Sequence, residues 1–578
     1  MRNVYHPAGL AIVAITLLGL VTFGGAGQPA LAKVNPNLAR NSHGHFDNGK
    51  ALPHVSGGTE VAFDDDRALS ADAQSDAGAD LPPDASASAL GCANRGSATN
   101  PRANQDCTLR RQAEEQIAVN PLDPNNLIAG QNDSRVGFNH CGFDYSLDGG
   151  ATWGDGQPGY FQHLNPGTAH TYDAASDPAV TFSGDGTAWF SCVMFDLNTN
   201  ATGLFVNPST PALKGAAYAN IGAGSSPYVV AEANDGHVFF DKEFIGADPR
   251  PGHTEVYVTF SLFLADQRCS TGNNPGAYCS SEIFYSKWNG SAWTTPVNVS
   301  GSSPLCVLGN TFDRKADPHA CNFDQGSMPV VNPTDGSVYV VWNNGNTPTL
   351  LNQTLGRRIN TDGTMGPVVK VGQDEESNIA QCDFGRGPEE CVKSLNVRAN
   401  DFPAVTFDPS DSNHLVSVWQ DSRTSPAGAG SYDVVVSEST NGGQTWSDAS
   451  GGGTVLQGAA GEAYFFPAVA ITRAGTVAVS YHRANAYGGT AVGGGTFGYG
   501  LQAKPAGGSF SAYTPVSDGQ SYPSPQTNAS QAGFLGDYSG IAASTAPGSD
   551  RVYPIWSDTR NSSSAGPDED VFIKVITF

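Results

Sequence analysis

From about residue 110 onward, short apolar runs alternate with clusters of glycine, asparagine and aspartate, and within each run apolar and small polar positions trade places every second residue. Val338-Tyr339-Val340-Val341-Trp342, Leu415-Val416-Ser417-Val418-Trp419 and Val477-Ala478-Val479-Ser480-Tyr481 are of strand length and rich in β-branched and aromatic residues. Each follows a Pro-x-Val segment: Pro329-Val330-Val331, Pro403-Ala404-Val405 and Pro467-Ala468-Val469. The repeating unit is therefore a strand, a turn, and a second strand ending in an aromatic residue. Copies lie at Gln116 to Asp133, Asp177 to Val193, Asp241 to Ser261, Gln325 to Asn344, Asp401 to Arg423, Tyr464 to Arg483 and Asp537 to Arg560. They recur every ~60 to 80 residues, longer than the roughly 40 to 50 of compact propellers, so long loops gather on one face.

One such hairpin cannot bury its own apolar face, and a ring of sheets protects most edges from pairing with other chains. The pattern predicts an all-β fold, a β-propeller of four-stranded blades, with seven blades favoured and six plus an accessory hairpin as the alternative.

Composition agrees. The 69 glycines and 37 prolines interrupt any sustained helical period, which argues against a helical bundle. With 39% hydrophobic and 15% charged residues the chain can build a large core, which excludes global disorder. Thirty basic against 55 acidic residues leave a net charge of −25, the wrong sign for nucleic acid or an anionic membrane surface.

Arg2, an apolar run from Ala8 to Phe23, and Ala30 and Ala32 ahead of Lys33 read as a secretory signal over residues 1–32. Residues 33–90, rich in Ala, Ser and Asp, read as a disordered acidic linker or propeptide, and residues 91–578 as the propeller. No later stretch is apolar enough to span a bilayer, so the expected location is extracellular. The ten cysteines are expected to pair in chain order: Cys92 with Cys107, Cys141 with Cys192, Cys269 with Cys279, Cys306 with Cys321, and Cys382 with Cys391.

A sharper motif sits between the hairpins. Ser146-Leu147-Asp148-Gly149-Gly150-Ala151-Thr152-Trp153 and Ser439-Thr440-Asn441-Gly442-Gly443-Gln444-Thr445-Trp446 follow the pattern S-x-D-x-G-x-T-W, and Ser286 to Trp293 is a worn third copy. In such a turn the Asp or Asn caps backbone amides, the glycines take positive φ, and the tryptophan packs between blades. On these Asp boxes the chain resembles the sialidase (neuraminidase) superfamily of BNR-repeat propellers over roughly residues 110 to 578. The resemblance implies an exported propeller with a glycan-directed site in its central depression.

Strand starts should open onto one end of the channel, bringing Glu115 and Gln116, Asp177, Asp241 with Glu243, Gln325, Asp401, Tyr464 and Asp537 with Tyr538 to the axis. Strand exits carry Asp133-Ser134-Arg135, Asp421-Ser422-Arg423, His482-Arg483 and Asp558-Thr559-Arg560. Arg135, Arg423, Arg483 and Arg560 converging on one pocket would bind a carboxylate in bidentate fashion. The resemblance further implies a tyrosine nucleophile and an aspartic proton donor. Tyr538, in Gly536 to Ala543, and then Tyr464, in Ala463 to Val469, match the final-blade strand, with Asp177 and Asp537 as acidic candidates and Glu462 beside Tyr464. The first-blade arginine of that family is replaced here by Gln116, which has no charge to offer, although Arg135 leaves the same hairpin.

No cofactor is required. A structural Ca²⁺ ion around Asp173, Asp177, Asp241 and Asp537 is allowed for by the oxygen ligands, whereas His140, His170, His253 and His482 form no zinc pattern. Three functions stay open: a glycoside hydrolase acting on acidic sugars, a noncatalytic extracellular propeller binding a glycan or protein, and a polysaccharide lyase.

Overall fold

The computed structural model describes residue 97 and residues 99–578, apart from short internal stretches of which the longest are 266–277, 485–494, 522–533 and 561–568. Among the described residues the chain forms seven four-stranded antiparallel sheets, spanning residues 112–156, 174–234, 238–298, 324–374, 404–456, 463–515 and 540–577, here sheets 1 to 7. A single helical turn, Gly309–Phe312, interrupts the strands, and no helix among these residues is long and apolar enough to cross a membrane.

The alternation explains how the sheets stack. In Val338–Asn344, Tyr339 and Val341 enter the core shared with sheet 5, while Val338, Val340 and Trp342 enter the core shared with sheet 3. Both faces of a sheet are covered, so its strands read as nearly continuous apolar runs. Each junction has its own apolar cluster, from Phe143 and Phe205 between sheets 1 and 2 to Tyr499 and Trp556 between sheets 6 and 7. A further cluster, with Ile117, Leu127, Tyr553 and Ile573, joins sheet 7 back to sheet 1. The first strands of consecutive sheets touch in the same cyclic order. This is a β-propeller.

The N-terminal segment completes the closure. Ala103 donates its backbone N–H to Val571 O at 2.8 Å, and the buried Arg102 guanidinium meets Asp570 at 2.9 Å and Asp106 O at 2.7 Å, fastening the segment to the last sheet. Cys141 bonds to Cys192, Cys306 to Cys321 and Cys382 to Cys391. The first of these joins sheets 1 and 2, rather than strands of one sheet. Cys279 is also oxidised, but Cys269, Cys92 and Cys107 lie outside the described residues, as do the expected signal and linker.

One element lies outside the repeat. Ala380–Asp383, Pro388–Val392 and Val397–Arg398 form a three-stranded sheet between sheets 4 and 5. Val392, Leu395 and Val397 pack on Phe465 and Phe466 at the start of sheet 6. Its strands are too short and mixed to show a period, which hid it in the sequence.

The turns of the S-x-D-x-G-x-T-W segments have the geometry their residues dictate. Asp148 accepts from the backbone N–H of Ala151 and Thr152 and from the Thr152 hydroxyl, at 3.1, 2.9 and 2.6 Å, while Gly150 N donates to Ser146 Oγ at 2.9 Å. Asn441 repeats the Thr445 contacts, and Trp446 Nε1 reaches Gly443 O and Tyr339 OH of sheet 4.

Candidate functional site

The first strand of five sheets carries a β-bulge at one equivalent place: Gln112–Asn120, Ala174–Phe182, Val238–Ala247, Asp324–Val331 and Ala463–Ile471 all slip register there. The bulged residues take positive φ: Glu114 (63°), Asp177 (59°), Lys242 (52°), Gly326 (64°) and Phe466 (52°). In sheets 5 and 7 the same distance before the first paired residue falls on Phe402 and Tyr538. Only the glycine adopts this backbone freely; each other residue carries strain of order 1 to 3 kcal/mol, and such strain gathers at functional sites. The seven positions form a ring at one end of the axis. A Cβ on Gly326 would stand 2.4 Å from the Phe402 ring, so glycine here makes room for that ring.

Lys242 is the hub of the ring. Its buried ammonium lies 3.0 Å from Asp177 Oδ1 of sheet 2 and 3.3 Å from Glu114 Oε1 of sheet 1, and contacts Asp537, just before sheet 7. Asn400 holds Asp537 through its side-chain amide, at 2.9 Å to the carbonyl and 3.0 Å to the carboxylate. Burial opposes the charge on Lys242, but Asp177, Asp537 and Glu114 together raise its pKa well above the ordinary lysine value. Burial pushes Glu114 far up despite Lys242, whereas for Asp177 the pull of Lys242 and a hydrogen bond from Glu114 outweigh burial and leave it below the usual range. The two neighbouring carboxyl groups are thus pushed in opposite directions, Glu114 toward its neutral form and Asp177 toward its ionised form.

Tyr538 closes the ring beside Phe244, with ring centroids 5.0 Å apart. Its buried hydroxyl makes no hydrogen bond among the described residues, and burial, reinforced by Glu114, Asp177, Glu243 and Asp537, raises its pKa well above that of a free phenol. Buried Glu243 has no side-chain hydrogen-bond partner among the described residues, and burial next to Asp177 holds it far above the carboxylate range. The cavity within the ring, lined by Lys242, Phe244, Phe402 and Tyr538, offers about 40 Å³ to water-sized molecules. Small-molecule pockets typically measure ~300 to 1,000 Å³.

The structure thus brings Asp177, Asp537 and Tyr538 together. It does not bring Tyr464 to them: that ring lies two residues before the bulge and stacks between sheets 5 and 6 on Tyr481 and Tyr513, at 4.5 and 5.7 Å. The arginines do not converge either. Arg135 pairs with Asp133 and Asp155 of its own sheet, both at 2.5 Å, and Arg423 with Asp421 and Asp448 at 2.8 and 3.0 Å. Arg483 pairs with Glu462, and Arg560 with Asp558 and Asp518. The D-[ST]-R spacing explains three of these contacts, since it lets the guanidinium fold back on the aspartate two residues earlier.

Gln116 stands one layer further down the channel than Glu114. Glu114, Lys242, Phe402 and Phe466 were missed. Aligning the hairpins residue by residue would have placed them in one layer, and the lysine in Asp241-Lys242-Glu243 was the visible signal. The point where Asp177 and Asp537 meet, considered for calcium, is held by the Lys242 ammonium. Among the described residues, the one group of three with ligand-like spacing is Asp248, His253 and Glu255, where Arg250 already pairs with Asp248.

No family model matches the chain, and no curated protein matches it. Among solved structures it is similar to the Trypanosoma rangeli sialidase bound to the inhibitor DANA, at 12% identity and a TM-score of 0.36 over 81% of this chain and 55% of that one. This chain thus spans about half the length of that sialidase. It is also similar to a Dyadobacter fermentans protein of unknown function (9%, TM-score 0.40, 84% of this chain and 99% of that one). A third is the Penicillium chrysogenum α-L-arabinanase complexed with arabinobiose (13%, TM-score 0.38, 73% and 97%).

Proposed function

We propose that this chain is an exported seven-bladed propeller that binds an extracellular glycan without turning it over. The observation behind this is the position of Lys242: its ammonium lies among the carboxylates that would have to act as acid and base, in a cavity too small for a sugar ring. For Tyr538, the candidate nucleophile, burial and then the same carboxylates raise the phenol pKa, which opposes its activation. Half-buried Phe402 beside Asn400 and Asp537 supplies an aromatic face with polar neighbours, a chemistry suited to a neutral sugar. The disulfides fit an oxidising compartment.

A glycan array probed with the full chain, run beside a reducing-sugar assay on the bound glycans, tests this. Binding without product, weakened by Phe402→Ala, is expected; release of free sugar that disappears in Tyr538→Phe overturns it. The second reading is hydrolysis of an acidic sugar, the activity implied by the Asp-box resemblance, and the meeting of Glu114 and Asp177 at one ammonium, with their pKa values pushed in opposite directions, favours it. That reading requires turnover of a sialoside or uronate glycan, lost in Asp177→Asn.

A further inference from the structure

Below the Lys242 ring the channel changes character. Two residues on, the axis is narrowed by Phe244 and Met328; two further on, the facing positions are small, among them Ala118, Thr181, Gly246, Thr406, Ala470 and Ala542. Consecutive residues of each first strand line the chamber together, so the strands border the axis along their inner edge. The result is a chamber of about 300 Å³, walled by all seven first strands and capped at one end by Phe244, Met328 and the Lys242 cluster. Its wall contains no Asp, Glu, Lys, Arg or His, although the chain has 55 acidic and 30 basic residues. Gln116 and Thr181 face it half-buried, and among the described residues neither side chain has a hydrogen-bond partner.

We propose that this axial chamber binds a small uncharged molecule that pairs an apolar part with hydrogen-bonding groups, some of which Gln116 and Thr181 receive. The volume lies at the lower end of small-molecule pockets, and the wall sets apolar side chains among polar groups that make up the larger share of its exposed surface. A charged ligand is excluded because burial there would leave its charge without a partner. The site lies at the opposite end of the axis from the proposed glycan surface and does not depend on it.

The probe is N-phenyl-1-naphthylamine, uncharged, compared with 1-anilinonaphthalene-8-sulfonate, the same skeleton bearing a charge. Titrated into the full chain, the neutral dye should bind saturably at one site per chain, at least tenfold tighter than the sulfonate. Ala470→Phe, which fills the chamber, should weaken it at least tenfold. Thr181→Val, which preserves shape, should weaken it two- to fivefold and keeps the test open should the larger side chain prevent folding. No saturable binding, which would mean a channel holding only water, overturns the proposal. So does equal affinity for both dyes, or neutral-dye affinity unchanged in a folded Ala470→Phe or, failing that, in Thr181→Val.

Discussion

Two kinds of ion pair divide this molecule. At the exits of the second strands, Arg135, Arg423 and Arg560 fold back onto an aspartate two residues earlier, and their side chains stay 14–18% exposed. On the axis, Lys242 is 3% exposed and held by carboxylates from three distant parts of the chain. The first kind is local, repeated and dispensable one copy at a time. The second occurs once among the described residues and ties sheets 1, 2 and 3 and the start of sheet 7 across the ring, so its loss strands several buried charges together.

The largest effect should come from Lys242→Met. Removing the ammonium leaves Asp177 and Asp537 without their shared cation, and ~3 to 5 kcal/mol of unfolding free energy should disappear in denaturant titration. A loss below about 1 kcal/mol would erase the distinction between axis and rim. Arg423→Ala should cost less, about 2 kcal/mol, because buried Asp421 and Asp448 keep backbone donors from Glu375, Arg423 and Gly453. A glycan affinity that falls with Arg423 would show that the rim takes part in recognition.

A third test uses pH. His414 lies between Asp408 and Glu438, 3.1 and 3.2 Å away, and hydrogen bonds to these carboxylates raise its pKa to about 9. A histidine pKa raised by folding contributes stability that is full below its unfolded value near 6.5 and is lost as pH climbs through about 9. Wild type should therefore lose on the order of 1 kcal/mol between those limits, allowing for solvent screening. His414→Gln should flatten that slope, and an unchanged slope would remove this rim network from the account. The smallest effect is expected for Asp148→Ala, which frees the Ala151 and Thr152 amides in an exposed turn, at about 0.5 to 1 kcal/mol in the same denaturant titration. A loss as large as that of Lys242→Met would mean that the turns, not the axis, hold the ring.

The same contrast governs what could be read before the structure. Pro-x-Val followed by an alternating strand exposed the hairpins, because burial of both faces forces apolar residues onto nearly every position. The D-[ST]-R triplets were visible as motifs, but their spacing alone left open whether each guanidinium reaches a distant ligand or folds back on the aspartate of its own hairpin. Tyr464 and Tyr538 looked alike in sequence. A shift of two positions relative to the bulge sends one between sheets and the other to the axis.

The sequence alone therefore determined the strands, the turns, three cysteine pairs and the all-β class, since period, turn chemistry and short-range spacing act over a few residues. Only the closed ring decided which residues share a layer of the channel. Lys242 reaches Glu114, Asp177 and Asp537 because the first strands of sheets 1, 2 and 3 bulge at the same height beside the entry to sheet 7, and that coincidence, set by packing between sheets, leaves no local trace in the chain.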